Sequence, residues 1–169
     1  MRSLLRAIDV VNHWVGRAVA WVSLVITALV FLEVLLRYVF NSPTTWAYEV
    51  NLYLQCTLVM LAGGYTLLHG GHVRVDIVYR FYDQRRKAWV DILTAFLVLA
   101  PALPMLYFGG GLAWEALMTG QRSVSAAELL LWPSMATVPV GVALLLMQAL
   151  ANALRAGIFL ATGREALEG

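Results

Sequence analysis

Long apolar runs separated by short polar segments dominate the chain. Four runs lack charged residues over 15, 19, 23 and 26 positions in chain order, and the first stays apolar beyond Glu33 to Phe40. A helix needs about 20 such residues to cross about 30 Å of hydrocarbon, and the runs are too uniformly apolar for barrel strands. The sequence therefore predicts an all-α integral membrane protein with four transmembrane helices, over residues 18–40, 47–68, 90–118 and 130–156.

Polar segments beside the spans carry a helical pattern of their own. In residues 1–17, aliphatic side chains fall on one stripe and charged side chains on another. Residues 75–88 repeat this pattern, with Asp76 and Arg80 one turn apart as an ion pair requires. Two-faced helices of this kind lie at the membrane surface. We expect amphipathic interfacial helices in both segments, within one membrane domain of residues 1–169; the alternative for the second segment is a solvated loop.

The basic residues predict the orientation. Ten of the twelve lysines and arginines precede the first span, separate the second from the third, or lie at or beyond the end of the fourth, whereas Arg37 and Arg122 lie on the opposite side. By the positive-inside rule, both termini and the middle connector are cytoplasmic.

The first span is expected to remain as an anchor, because it is too long for a signal-peptide core and no Ala-x-Ala cleavage site follows it.

Composition excludes several classes of protein. Hydrophobic residues make up 61% of the chain and charged residues 13%, against about 45–50% and about 25% in soluble domains. A net charge of +2 is too small to define a nucleic-acid surface. The single cysteine, Cys56, cannot form an internal disulfide or an iron–sulfur site. Because no Walker loop, catalytic triad or zinc signature is present, we expect no enzyme activity and no cofactor.

Span one carries two charges within its apolar stretch. Glu33 and Arg37 are one helical turn apart. Ionisable groups in lipid are costly and face protein or water. Two interpretations stay open: an ion or proton relay, and a mutually neutralised pair near the outer interface that fixes helix packing.

Span two carries a stripe of polar and small residues, namely Asn51, Gln55, Ala62 and Thr66. Gly63 and Gly64 would let another helix approach closely.

Span three contains Pro101 and Pro104, which predict a kink or local unwinding. Freed carbonyls at such a break can bind ions in transporters, but those sites usually come as paired inverted repeats, and we find no repeat here.

Three histidines are candidates for metal binding. His69, His72 and Asp76 are of ligand type, but the two glycines between the histidines break the helix that would align them. All three histidines also lie near an interface rather than at the depth that haem ligation between spans requires. We therefore predict no metal site.

Several short motifs, in order, resemble the small membrane subunit of tripartite ATP-independent periplasmic (TRAP) transporters. They are residues 37–43 (RYVFNSP), Trp46, Glu49, Gly63 with Gly64, residues 72–76 (HVRVD), Gly120 with Gln121, Trp132 with Pro133, and residues 139–141 (PVG). Each motif is weak alone, but the ordered set on four spans with a basic middle connector is specific.

The resemblance implies partners rather than catalysis. In that family a periplasmic binding protein captures an organic anion, a large permease carries it with sodium ions through the bacterial inner membrane, and the small subunit accompanies the permease. The positions carried over, with a role in packing, anchoring or subunit contact, are Arg37, Trp46, Glu49, His72, Arg74 and Asp76. The implied function is a non-catalytic scaffold in contact with permease, binding protein and membrane lipid. A small homo-oligomeric exporter or channel and a membrane redox subunit remain alternatives.

Overall fold

The computed structural model describes residues 2–70 and 83–162. They form four helices: α1 (Arg2–Tyr38), α2 (Ala47–Leu68), α3 (Gln84–Thr119) and α4 (Trp132–Thr162). All four are long and apolar enough to cross a membrane. The predicted all-α fold with four spans is therefore confirmed.

The helices pack in the order α1, α2, α4, α3, and α1 has no extensive contact with α3 in the described part of the chain. In the most apolar stretch of each helix, 39% of α4 is buried, against at most 11% of any other helix. Between α3 and α4 the core is formed by Ala102, Val142 and Leu146. The row is open, so α1, α2 and α3 keep large apolar surfaces exposed.

Helix α1 differs from the predicted segments. The sequence predicts an interfacial helix over 1–17 and a separate span over 18–40, but residues 2–38 form one continuous helix of 37 residues, roughly 55 Å long. Part of its polar surface faces inward, because Asp9 and Asn12 bond to α4, whereas Arg6 and Arg17 remain exposed. Gln148 and Arg155 on α4 bond to these two inward-facing side chains, and the helix continues through them without a break.

Helix α3 begins earlier than the predicted span. Asp83 accepts a hydrogen bond from the backbone N–H of Gln84 at its N-cap, and residues 84–88 belong to this helix. The rest of the predicted interfacial helix, with His72, Arg74 and Asp76, lies outside the described residues. The predicted unwinding at the prolines does not occur, because α3 stays helical through both of them to Thr119; membrane helices tolerate proline where neighbouring groups satisfy the backbone.

Two short loops lie at one end of the row, here called the loop end. Residues 39–46 join α1 to α2, and residues 120–131 join α3 to α4. The second loop is closed by an antiparallel bridge between Arg122 and Leu130, with Gly120 in the left-handed region at φ 61° to end α3. The opposite end, called the terminal end, holds the start of α1 and the end of α4.

Candidate interface and its polar anchors

At the loop end, Glu33 ties α1 to the following loop. Its Oε1 accepts hydrogen bonds from Arg37 Nη2 (2.7 Å) and Nε (3.2 Å). Its Oε2 accepts from the hydroxyl (2.6 Å) and backbone N–H (3.2 Å) of Thr44. The predicted pair with Arg37 therefore forms, and the loop supplies two further donors that the sequence analysis did not identify. We call this the Glu33 anchor (Glu33, Arg37, Thr44).

A second carboxylate at the loop end holds the other loop. Glu49 on α2 is 8% exposed. It accepts hydrogen bonds from the Ser125 hydroxyl and from the Tyr53 hydroxyl at 3.2 Å, and Ser125 is in turn bonded to Ser123 at 2.8 Å. This Glu49 anchor (Glu49, Tyr53, Ser125) fastens the loop of residues 120–131 to α2. The contact of Ser125 with Glu49 was not predicted from the sequence, because a serine in a polar loop belongs to no periodic pattern or motif.

Near the terminal end, a polar network joins α1 to α4. Asn12 Nδ2 donates to Gln148 Oε1 at 2.9 Å, and both side chains are at most 1% exposed. Gln148 Nε2 donates to Asp9 Oδ1 (3.0 Å) and Asn152 Oδ1 (3.2 Å). Arg155 pairs with Asp9 Oδ2 at 2.5 Å and donates to Asn152 at 3.1 Å. The five residues form the Arg155 network.

The Arg155 network was not predicted from the sequence. Its three members on α4, Gln148, Asn152 and Arg155, are spaced by four and three residues, which places them on one helical face. That spacing was the feature of the sequence from which a polar face on α4 could have been predicted. The matching side chains on α1 were assigned to a membrane surface instead of to a neighbouring helix.

Three glycines bring the helices of this chain into close contact. A Cβ atom on Gly64 would lie 2.0 Å from Asn12 Oδ1, and one on Gly16 would lie 2.2 Å from the Tyr65 ring. A Cβ on Gly141 would lie 2.4 Å from the backbone oxygen of Met60. The close approach expected at Gly64 is therefore made by α1 and α4 of the same chain.

The other residues of the predicted interface lie on or beside the open surface of α2. Gln55 is exposed, whereas Asn51, Ala62 and Gly63 are half-buried. Trp46 precedes the helix and is 41% exposed. Asn51 Oδ1 is buried and has no hydrogen-bond partner among the described residues. It lines a cleft of about 340 Å³ between α1 and α2, at the loop end.

Four apolar helices joined by internal polar contacts define a multi-pass membrane protein. A family model described as "Tripartite ATP-independent periplasmic transporters, DctQ component" matches residues 26–157, which is most of the chain. The chain therefore belongs to the DctQ family, the small component of TRAP transporters, and the resemblance found in the sequence is confirmed. A comparison with individual curated proteins gave no match.

Proposed function

We propose that this chain is a non-catalytic scaffold that supports a large sodium-coupled permease during uptake of an organic anion delivered by a periplasmic binding protein. The observation that carries the proposal is how three carboxylates among the described residues are used. Asp9, Glu33 and Glu49 each bond to side chains of the chain itself and hold helices or loops in place. Carboxylates so engaged serve packing, whereas an ion relay needs groups that can exchange their ligand.

We further propose that the chain lies in the bacterial inner membrane with both termini cytoplasmic. The two loops at the loop end carry only Arg122 outside the helices, whereas the basic residues of the middle connector and both termini belong to the opposite side. Labelling of intact cells tests this orientation. With Cys56→Ala as background, Gln84→Cys should resist an impermeant thiol reagent until the cells are lysed, and Val124→Cys, fully exposed in the other loop, should react in intact cells.

Transport in proteoliposomes tests the scaffold. The permease reconstituted with this chain and the binding protein should take up an organic anion when a sodium gradient is applied. The same preparation without this chain should not. Uptake by this chain alone, or full uptake by the permease without it, would refute the proposal.

Among the predicted interface residues, the role in contact with partners is proposed for those at the surface, including Arg37, Trp46, Gln55 and Ala62. His72, Arg74 and Asp76 keep the same proposed role on the strength of the family resemblance. Glu33 and Glu49 are proposed to act by shaping the two loops that face the periplasm. The identity of the anion depends on the other components.

A further inference from the structure

Gln55 is a polar side chain without a hydrogen-bond partner among the described residues, and it lies well within a span. Helix α2 has 22 residues, roughly 33 Å, and Gln55 lies about 12 Å along its axis from Ala47. The side chain is exposed, and it forms no hydrogen bond within the part of the chain that the structure describes. Lipid tails offer no hydrogen-bond partner, so an exposed amide at this depth calls for a protein partner.

Gln55 belongs to a regular stripe along α2. The stripe comprises Tyr48, Leu52, Gln55, Val59, Ala62 and Thr66, spaced alternately by four and three residues. Its first four members are exposed and its last two half-buried. A strict repeat of 3.5 residues is the geometry by which one helix packs along another with a left-handed crossing. We call this surface the open stripe.

The cleft between α1 and α2 continues the open stripe at the loop end. Tyr48 belongs to both, and Asn51, with its unpartnered Oδ1, lies one turn before Gln55. Apolar side chains such as Val30 and Val34 line the cleft together with Arg37. A mixed lining of this kind suits an inserted side chain of a protein better than an acyl chain.

The outer surface of α3 has a different character. Leu93, Phe96, Phe108, Leu112 and Trp114 are each more than half exposed and carry neither amide nor charge, and the phenol of Tyr107 is 76% exposed beside them. Lipid tails satisfy the apolar side chains of this surface without any further partner. Exposed apolar area alone therefore does not distinguish the two surfaces, whereas the amide of Gln55 does.

We propose that the open stripe is the docking surface for a transmembrane helix of the large permease, and that a polar side chain of that helix bonds to Gln55. The inference rests on the proposed scaffold function, because that function supplies the partner. The adjacent cleft receives a side chain from the same helix or its neighbour.

Site-directed photocrosslinking tests this assignment in the full chain co-expressed with the permease. With Cys56→Ala as background, Val59→Cys and Phe108→Cys are labelled with a thiol-reactive benzophenone. The two positions lie at similar depth, about 17–18 Å from the loop ends of α2 and α3. We expect Val59→Cys to crosslink to the permease and Phe108→Cys not to.

The other outcomes contradict the assignment. Crosslinks from Phe108→Cys alone, from both positions equally, or from neither in an intact complex would each overturn the open stripe as the docking surface. So would a crosslink from Val59→Cys to a second copy of this chain. If the two proteins do not co-purify at all, the scaffold function itself fails.

A second measurement tests the hydrogen bond of Gln55. Gln55→Leu should reduce binding to the permease by about threefold, and at most about twentyfold, as for one hydrogen bond between membrane helices. Phe108→Leu is the control and should leave binding unchanged. Both variants must elute as the wild-type chain does in detergent, so that a loss reports docking. Unchanged binding of correctly folded Gln55→Leu would refute the role given to this side chain.

Discussion

Replacing Gly64 by alanine tests whether the helices of this chain meet as the structure places them. The new Cβ atom would lie 2.0 Å from Asn12 Oδ1 and 3.2 Å from the backbone oxygen of Leu144. Asn12 is 1% exposed and bonded to Gln148, so it has no free space to move into. The substitution must therefore break that hydrogen bond or push α1 away from α2.

The neighbouring Gly63 provides a matched control. Its added Cβ would meet only Leu145, at 3.8 Å, which is ordinary van der Waals contact. Both substitutions gain the same helix propensity, up to about 1 kcal/mol, so this term cancels between them. Overpacking costs about 1–3 kcal/mol, and a lost hydrogen bond between membrane helices costs about 0.6–1.7 kcal/mol. Gly64→Ala should therefore be about 1–5 kcal/mol less stable than Gly63→Ala, with the larger values expected if the hydrogen bond breaks as well.

The free energy of unfolding can be measured by titrating each purified variant with sodium dodecyl sulfate in mixed micelles, with the fluorescence of the six tryptophans as the signal. Asn12→Ala removes the oxygen that the new methyl group meets. In that background, Gly64→Ala should cost at least about 1 kcal/mol less than in the wild type. Equal stability of the two alanine variants, or an equal cost of Gly64→Ala in both backgrounds, would refute the packing described here.

Three further predictions concern other parts of the chain. Gly141→Ala should lower the free energy of unfolding by about 1–3 kcal/mol, because its Cβ would meet the backbone of α2. Gly157→Ala is the control and should be neutral or stabilising, because no atom lies within 4 Å of the added Cβ. A Gly157→Ala variant less stable than Gly141→Ala would contradict this packing. Glu33→Gln should reduce the yield of folded protein, because Arg37 and the loop lose a charged hydrogen-bond acceptor. Replacing both residues, as Glu33→Leu with Arg37→Leu, should recover part of that loss. If Glu33→Gln instead assembles normally but abolishes transport and alters its sodium dependence, the ion relay is favoured. Cys56→Ala should leave stability and transport unchanged, because the polar contact of its thiol among the described residues is a long one, 3.7 Å from the Thr137 hydroxyl. A loss in either assay would show a function for the thiol.

The spans and the Glu33–Arg37 pair could be predicted from the sequence because both depend on local properties. Whether a run of residues crosses the membrane depends on its length and hydrophobicity. An ion pair one turn apart depends only on helical geometry. The family could also be recognised in the sequence, because its motifs lie in order along the chain.

The partners of the polar side chains were decided by the tertiary structure. Asp9 and Arg155 are separated by 146 positions, and no local pattern indicates that they meet. The polar stripe of α1 was assigned to the membrane surface, whereas its member Asp9 bonds to α4, because periodicity shows that a helix has two faces but not what covers each. Gly64 likewise contacts this chain's own α1.

The exposure of Gln55 is the clearest example of a property that only the tertiary structure decides. Within a membrane, lipid and protein interior are both apolar, so hydrophobicity cannot separate the surface that faces lipid from the surface that faces a neighbouring helix. The sequence by itself determined that α2 is a span with a polar and small stripe. Only the packing of α1 and α4 on the other sides of α2 left Gln55 without a hydrogen-bond partner among the described residues, because a side chain is satisfied or unsatisfied according to what the fold brings next to it.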